Sequence, residues 1–307
     1  MRSWILSLSA LLTSVTFAAA NDPFPEYAQQ NPSKRPSIFW KQFGSYFLPG
    51  LGQYIDGQPT YGAAYTTSAV LGLSLVNATK TEVKKEKDRA PGEPREDNFG
   101  YAILGYKMYD TAGSFSAYQS FRSAVRSRKD DFSFLSKEES LTSIALAPFD
   151  FDHAMHPRVF IPLVLASVAA AFSRDMSDVT FTQPYAERFV STLGVSYGAG
   201  IGEEAIFRGW LMPISHYAFS SPHWANAFQA TIFGLAHYGP QNKAPVFQTL
   251  AGGYLGWICQ SNGYSLRESA FLHFWWDIIA IGNTYVLNTT STEKKPMQLT
   301  LLNLPLP

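Results

Sequence analysis

The chain has 307 residues and no net formal charge, so nothing global points to a nucleic-acid partner. Only 16% of its residues are charged and 15% are aromatic, against roughly 25% charged in ordinary soluble domains. That deficit points to a membrane protein; the near-zero mean hydropathy arises because charge is gathered in residues 80–97 and 122–139 while long apolar tracts lie elsewhere.

Residues 1–20 read as a secretory signal peptide. Arg2 is the basic start, Trp4 to Phe17 the apolar centre and Ala18-Ala19-Ala20 the small-residue cleavage site. The apolar centre is short for a membrane-crossing helix of roughly 20 residues, which favours cleavage over retention. Residues 21–140 form an N-terminal module. In it, Pro49, Gly50, Gly52 and Gly57 punctuate a turn, and an apolar helix is expected from about Tyr61 to Val76. The Pro-Gly-x-Gly-Gln turn ahead of such a helix resembles small bacterial membrane modules. Residues 79–98, with six basic and six acidic residues and two prolines, read as a solvated loop. Residues 99–121 read as a partly buried or hairpin-like helix, apolar but interrupted by Lys107 and Asp110.

From residue 141 to 290 the pattern becomes a helical core. Helices are expected at Val159–Phe172, Tyr185–Tyr197, Trp224–His237, Val246–Gln260 and Glu268–Val286, with Pro213, Pro222, Pro240 and Pro245 marking breaks. No strand-like alternation persists. The fold class is therefore all-α, a polytopic transmembrane bundle, followed by a tail at 291–307.

Ionisable residues interrupt three of the apolar helices. Glu203, Glu204 and Arg208 sit in IGEEAIFRGWLM, His237 in FGLAH, and His273 with Asp277 in HFWWD. Such residues in membrane helices face the bundle interior, pair with one another and mark function. Glu204 and Arg208 are four apart and share a helix face, as do His273 and Asp277, and Phe233 and His237. On an α-helix Glu203 is rotated about 100° from Glu204, so only one of them pairs with Arg208 in that way and the other is free to point elsewhere.

The motifs Glu203-Glu204-x-x-x-Arg208, Phe233-x-x-x-His237 and His273-x-x-x-Asp277, in this order on successive helices, resemble the CPBP family. That family holds the CAAX prenyl endopeptidases and the bacteriocin-processing or immunity proteins. The likeness covers roughly residues 145–290. It implies an intramembrane endopeptidase acting on a peptide in or near the membrane, with membrane lipid as its surroundings, no nucleic acid and no cofactor. Glu203 would activate a water, His237 would hold it, His273 and Asp277 would line the oxyanion side, and Glu204 with Arg208 would orient the site. Asp277 stands where asparagine is usual, and an ionised aspartate donates no hydrogen bond. Either Asp277 is protonated, or it accepts from His273 and orients it; the second is the expected role. The expected location is a bacterial inner membrane, crossed several times.

Three other readings compete. A scaffold or immunity protein would keep the fold without turnover, and a proton-coupled transporter would use the same carboxylates and histidines as a relay. Zinc held by Glu203, His237 and His273, with Asp277 nearby, is a further alternative, though no H-E-x-x-H helix is present. His153 and His156 in DFDHAMHP suggest a metal but read better as an interface loop; His216 and His223 read as surface residues. Cys259, the single cysteine, closes no internal disulfide and reads as helix packing.

Overall fold

The structure, a computed structural model, describes residues 38–88, 99–135, 139–172, 185–239 and 244–283. In chain order its helices are α1 (Trp40–Phe47), α2 (Leu51–Ile55), α3 (Pro59–Asp88), α4 (Phe99–Arg126), α5 (Leu141–Leu146), α6 (Pro157–Phe172) and α7 (Tyr185–Gly198). A π-helix (Ala199–Leu211) continues α7 and runs into α8 (Met212–Phe219); α9 (Pro222–Ala236), α10 (Val246–Ser261) and α11 (Arg267–Ile281) follow. No strand occurs among the described residues, so the all-α class stands. The expected signal peptide and the tail lie outside the described residues.

Local sequence accounts for most boundaries. Gly50 in the Pro-Gly turn has φ 99, and a Cβ there would lie 2.3 Å from the carbonyl oxygen of Gly62, so only glycine fits. Pro59 and Pro222 open α3 and α9, where a missing N–H costs nothing. The Ser221 hydroxyl accepts from the Trp224 amide and caps α9. The start of α11 is capped from a distance: Glu139 accepts from the Leu266 amide at 2.8 Å.

Two expectations change. The loop expected at 79–98 is helical as far as Asp88, because α3 continues to that residue. Lys and Glu are good helix formers, so a charged run does not itself end a helix. Pro213 does not break the chain into separate helices. It lacks an N–H, and just ahead of it the hydrogen-bond ladder has slipped to the wider π register, with the Met212 amide bonded to the Phe207 carbonyl.

Packing converges on the π-helix. Leu104, Met108, Phe115 and Tyr118 of α4 bury against Ile201 and Ala205 of the π-helix and Phe274 of α11. Val159 of α6 meets Leu255 and Ile258 of α10 and Phe271 and Leu272 of α11 in a separate cluster. Among the described residues no helix is long and apolar enough to cross a membrane. The reasons differ by element. Helix α6 is strongly apolar but has 16 residues, about 24 Å at 1.5 Å per residue against roughly 30 Å of hydrocarbon. Helix α4 has 28 residues but carries Asp110, Thr111, Ser114, Ser116, Gln119 and Ser120, all buried.

At Gly200 the π-helix packs tightly against α11: a Cβ there would lie 2.8 Å from Phe274 Cβ and 2.9 Å from its Cα and N. At Gly253 the nearest atom to an added Cβ is 3.8 Å away. Gly200→Ala should therefore lower the melting temperature of the purified protein, losing about 1–3 kcal/mol. Gly253→Ala should leave it unchanged or raise it, since alanine favours a helix by up to about 1 kcal/mol.

Candidate active site

The π-helix delivers Glu203, Glu204 and Arg208 into the interior, with exposures of 8%, 0% and 0%. Arg208 Nη1 donates to Glu204 Oε1 at 2.9 Å. Its Nη2 donates to the carbonyl of Gly252 on α10 at 3.0 Å. The guanidinium carbon sits 4.4 Å above the centre of the Phe233 ring, a cation–π contact in dry surroundings. The Phe233 ring also meets those of His237 at 4.6 Å and His273 at 5.9 Å.

The two histidines are aimed by their Nδ1 atoms. His237 lies just past the end of α9, and its Nδ1 is 2.8 Å from the Phe233 carbonyl. A carbonyl only accepts, so Nδ1 carries a proton and Nε2 faces inward. His273 Nδ1 is 2.9 Å from Glu204 Oε1, the oxygen that also receives Arg208. The orienting bond expected from Asp277 is therefore supplied by Glu204. Asp277 Oδ2 lies 3.9 Å from His273 Nε2, on its far side and beyond hydrogen-bond reach.

Glu203 Oε2 is buried without a hydrogen-bond partner. It faces Nε2 of His237 at 3.9 Å and Nε2 of His273 at 3.8 Å. These separations are too long for direct hydrogen bonds and are of the length that a bridging molecule spans. Its other oxygen, Oε1, is in direct contact with Lys107 Nζ of α4. Lys107 also lies 3.6 Å from Asp110 Oδ2, and Tyr46 of α1 donates to Asp110 Oδ1 at 2.7 Å. Lys107, Asp110 and Tyr46 were not among the expected site residues. The available signal was the pair of charges that interrupts the apolar run of 99–121.

His237, His273 and Asp277 line a cavity of about 640 Å³ between α6, α9, α10 and α11. Its other walls are mainly apolar, among them Ile161, Leu165, Leu250 and Trp276. Among the described residues, the set with metal-ligand spacing is His153, His156 and Glu268, whose donor atoms lie within 4.8 Å of one another. Glu203, His237 and His273 do not form such a set, and Lys107 already supplies a cation to Glu203. Burial pushes the His153 imidazole below its ordinary value, which keeps it neutral and suited to a metal. The carboxylate of Glu268 is spoken for, however: Arg158 donates to Oε1 at 2.5 Å and to Oε2 at 2.7 Å, and Asn262 to Oε2 at 2.6 Å. This cluster ties α6 and α10 to the first turn of α11. His216, expected at the surface, packs on Phe134 with its Nδ1 2.6 Å from the Tyr264 hydroxyl.

The helical bundle thus buries two glutamates, an arginine and His273 beside an apolar cavity, with His237 partly enclosed at its edge. Residues 185–279 match the family described as Type II CAAX prenyl endopeptidase Rce1-like. The match spans all three motifs, from Glu203 to Asp277, and agrees with the CPBP resemblance drawn from them. No curated protein and no solved structure matches the chain.

The buried Arg208–Glu204 pair generates a stability prediction. Arg208→Met should destabilise the protein by about 3–5 kcal/mol, because it strands a carboxylate in the interior. Arg208→Met/Glu204→Met should recover a large part of that loss. Denaturation midpoints of the purified variants measure both effects.

Proposed function

We propose that this chain is an intramembrane endopeptidase that cleaves a peptide bond in a membrane-embedded or membrane-proximal substrate, with Glu203 as the base. The observation that carries the reading is Glu203 Oε2. It is buried, makes no direct hydrogen bond and faces two imidazole nitrogens at 3.8 and 3.9 Å, next to an apolar cavity that both histidines line. A water held among Oε2 and the two Nε2 atoms would give up a proton to Glu203 as its oxygen attacks the substrate carbonyl carbon. His237, with Nδ1 fixed by the Phe233 carbonyl, would accept from that water through Nε2. His273, in its protonated form and held at Nδ1 by Glu204, would donate from Nε2 to the developing oxyanion. The proton on Glu203 would then pass to the leaving amine as the carbon–nitrogen bond breaks. No metal is needed for these steps.

The membrane setting is supported by the Rce1-like match and by the outside of the bundle. Phe160, Ile161, Leu165 and Phe172 of α6 are each more than half exposed, as are Trp224, Val246 and Leu250. An apolar surface this extensive is unusual on a monomer in water. Hydrocarbon would cover it, and a substrate segment resting in the same hydrocarbon would meet the cavity beside α6.

Glu203→Gln keeps the shape of the side chain and removes the base. In purified protein assayed against a library of membrane peptides, it should lower turnover by about 10²–10⁴-fold. His237→Ala should lower kcat at the same peptide bonds. Equal cleavage by wild type and Glu203→Gln would overturn the reading.

A further inference from the structure

Lys107 belongs to α4, outside the segment that matches the family, yet its Nζ touches the side chain proposed as the base. Four features show that this contact is built into the fold. Lys107 and Glu203 are both largely enclosed, with side-chain exposures of 17% and 10%. The lysine is held on its other side by Asp110 at 3.6 Å, and Asp110 is itself held by the Tyr46 hydroxyl at 2.7 Å. Helix α4 is pressed against the end of α7, where a Cβ on Gly198 would lie 2.9 Å from Thr111 Oγ1 and 3.3 Å from Lys107 Cβ. Because Lys107 occupies Oε1, only Oε2 of Glu203 is presented to His237 and His273.

The charges around the cavity give the contact a second role. Glu204 is matched by Arg208 and by His273 Nδ1. Glu203, Asp277 and Asp110 are three more enclosed carboxylates; Asp277 Oδ2 and Glu203 Oε2 face the same nitrogen, His273 Nε2, at 3.9 and 3.8 Å, and among the described residues Lys107 is the lysine or arginine in ion-pair contact with Glu203 and Asp110. Enclosed like charges disfavour one another's ionised forms, and an adjacent cation relieves this.

We infer that Lys107 is a positioning residue for Glu203 and that its charge compensates for that of Asp277: it clamps one carboxylate oxygen of the base, turns the other toward the histidines, and keeps the base ionised although an aspartate faces the same histidine nitrogen. The inference rests on the reading of Glu203 as the base, and the pairing itself can be tested without turnover. Dicyclohexylcarbodiimide is an apolar electrophile to which a protonated carboxyl group adds, its oxygen bonding the carbodiimide carbon and its proton passing to nitrogen. The full-length protein in detergent is treated with it, and labelling of Glu203 is followed by mass spectrometry. Lys107→Met should label at Glu203 about tenfold faster than wild type, the factor given by about 1.4 kcal/mol of lost charge pairing. Lys107→Arg should stay near wild type. Lys107→Met/Asp277→Asn should return most of the way, because one competing carboxylate charge is gone. Lys107→Gln carries the same comparison should Lys107→Met fail to fold, as judged by circular dichroism.

Unchanged labelling in the single variant overturns the clamp, and labelling equally fast in the double variant overturns the compensation by Asp277. In the peptide assay, Lys107→Met should lower kcat at least tenfold with KM near wild type; a rise in kcat would make Lys107 a brake and overturn the inference. If wild type cleaves nothing while the labelling pattern holds, the peptidase reading fails and the charge pairing stands.

Discussion

The architecture around the cavity depends on one buried ion pair. Arg208 and Glu204 are both fully enclosed, and either alone would be an uncompensated charge in a dry interior. Together they are matched, and each has a further partner on another helix. Arg208 reaches the Gly252 carbonyl on α10 and the Phe233 ring on α9, while Glu204 reaches His273 on α11. Four elements are therefore registered against one another by a single pair of charges. A displacement of any one of them would cost a hydrogen bond that water cannot replace.

Much of this site was legible in the sequence, and for a physical reason. Ionisable residues in apolar helices are costly, so their positions single out Glu203, Glu204, Arg208, His237, His273 and Asp277 without any structure. The structure brings these six together. Spacing also showed that Glu204 and Arg208 share a face and that only one of the two glutamates pairs with Arg208 in that way. Helix positions were legible where proline, serine and apolar periodicity agreed, as in α6, α9 and α10.

The rest was not legible, because it depends on contacts between distant segments. Lys107 and Glu203 are 96 positions apart, and no local rule pairs them. The sequence offered only the hint that a lysine and an aspartate interrupt α4. The i,i+4 spacing of His273 and Asp277 suggested a bond between them, whereas Glu204, from 69 residues away, takes the imidazole. The π-helix was equally hidden, since the spacing arguments assume 3.6 residues per turn.

The Gly252 carbonyl has a consequence for how this site tolerates genetic change. It receives both Arg208 Nη2 and Gln229 Nε2, at 3.0 and 2.9 Å, and it belongs to the main chain. No substitution on α10 deletes that acceptor. The arginine's second anchor is invulnerable to the loss of a side chain and vulnerable only to the gain of one, because a Cβ on Gly252 would lie 2.9 Å from the Phe233 ring. Variation along α10 can therefore reshape the cavity wall at Leu250 or Leu255 while the ion pair at its back keeps its hold on the backbone.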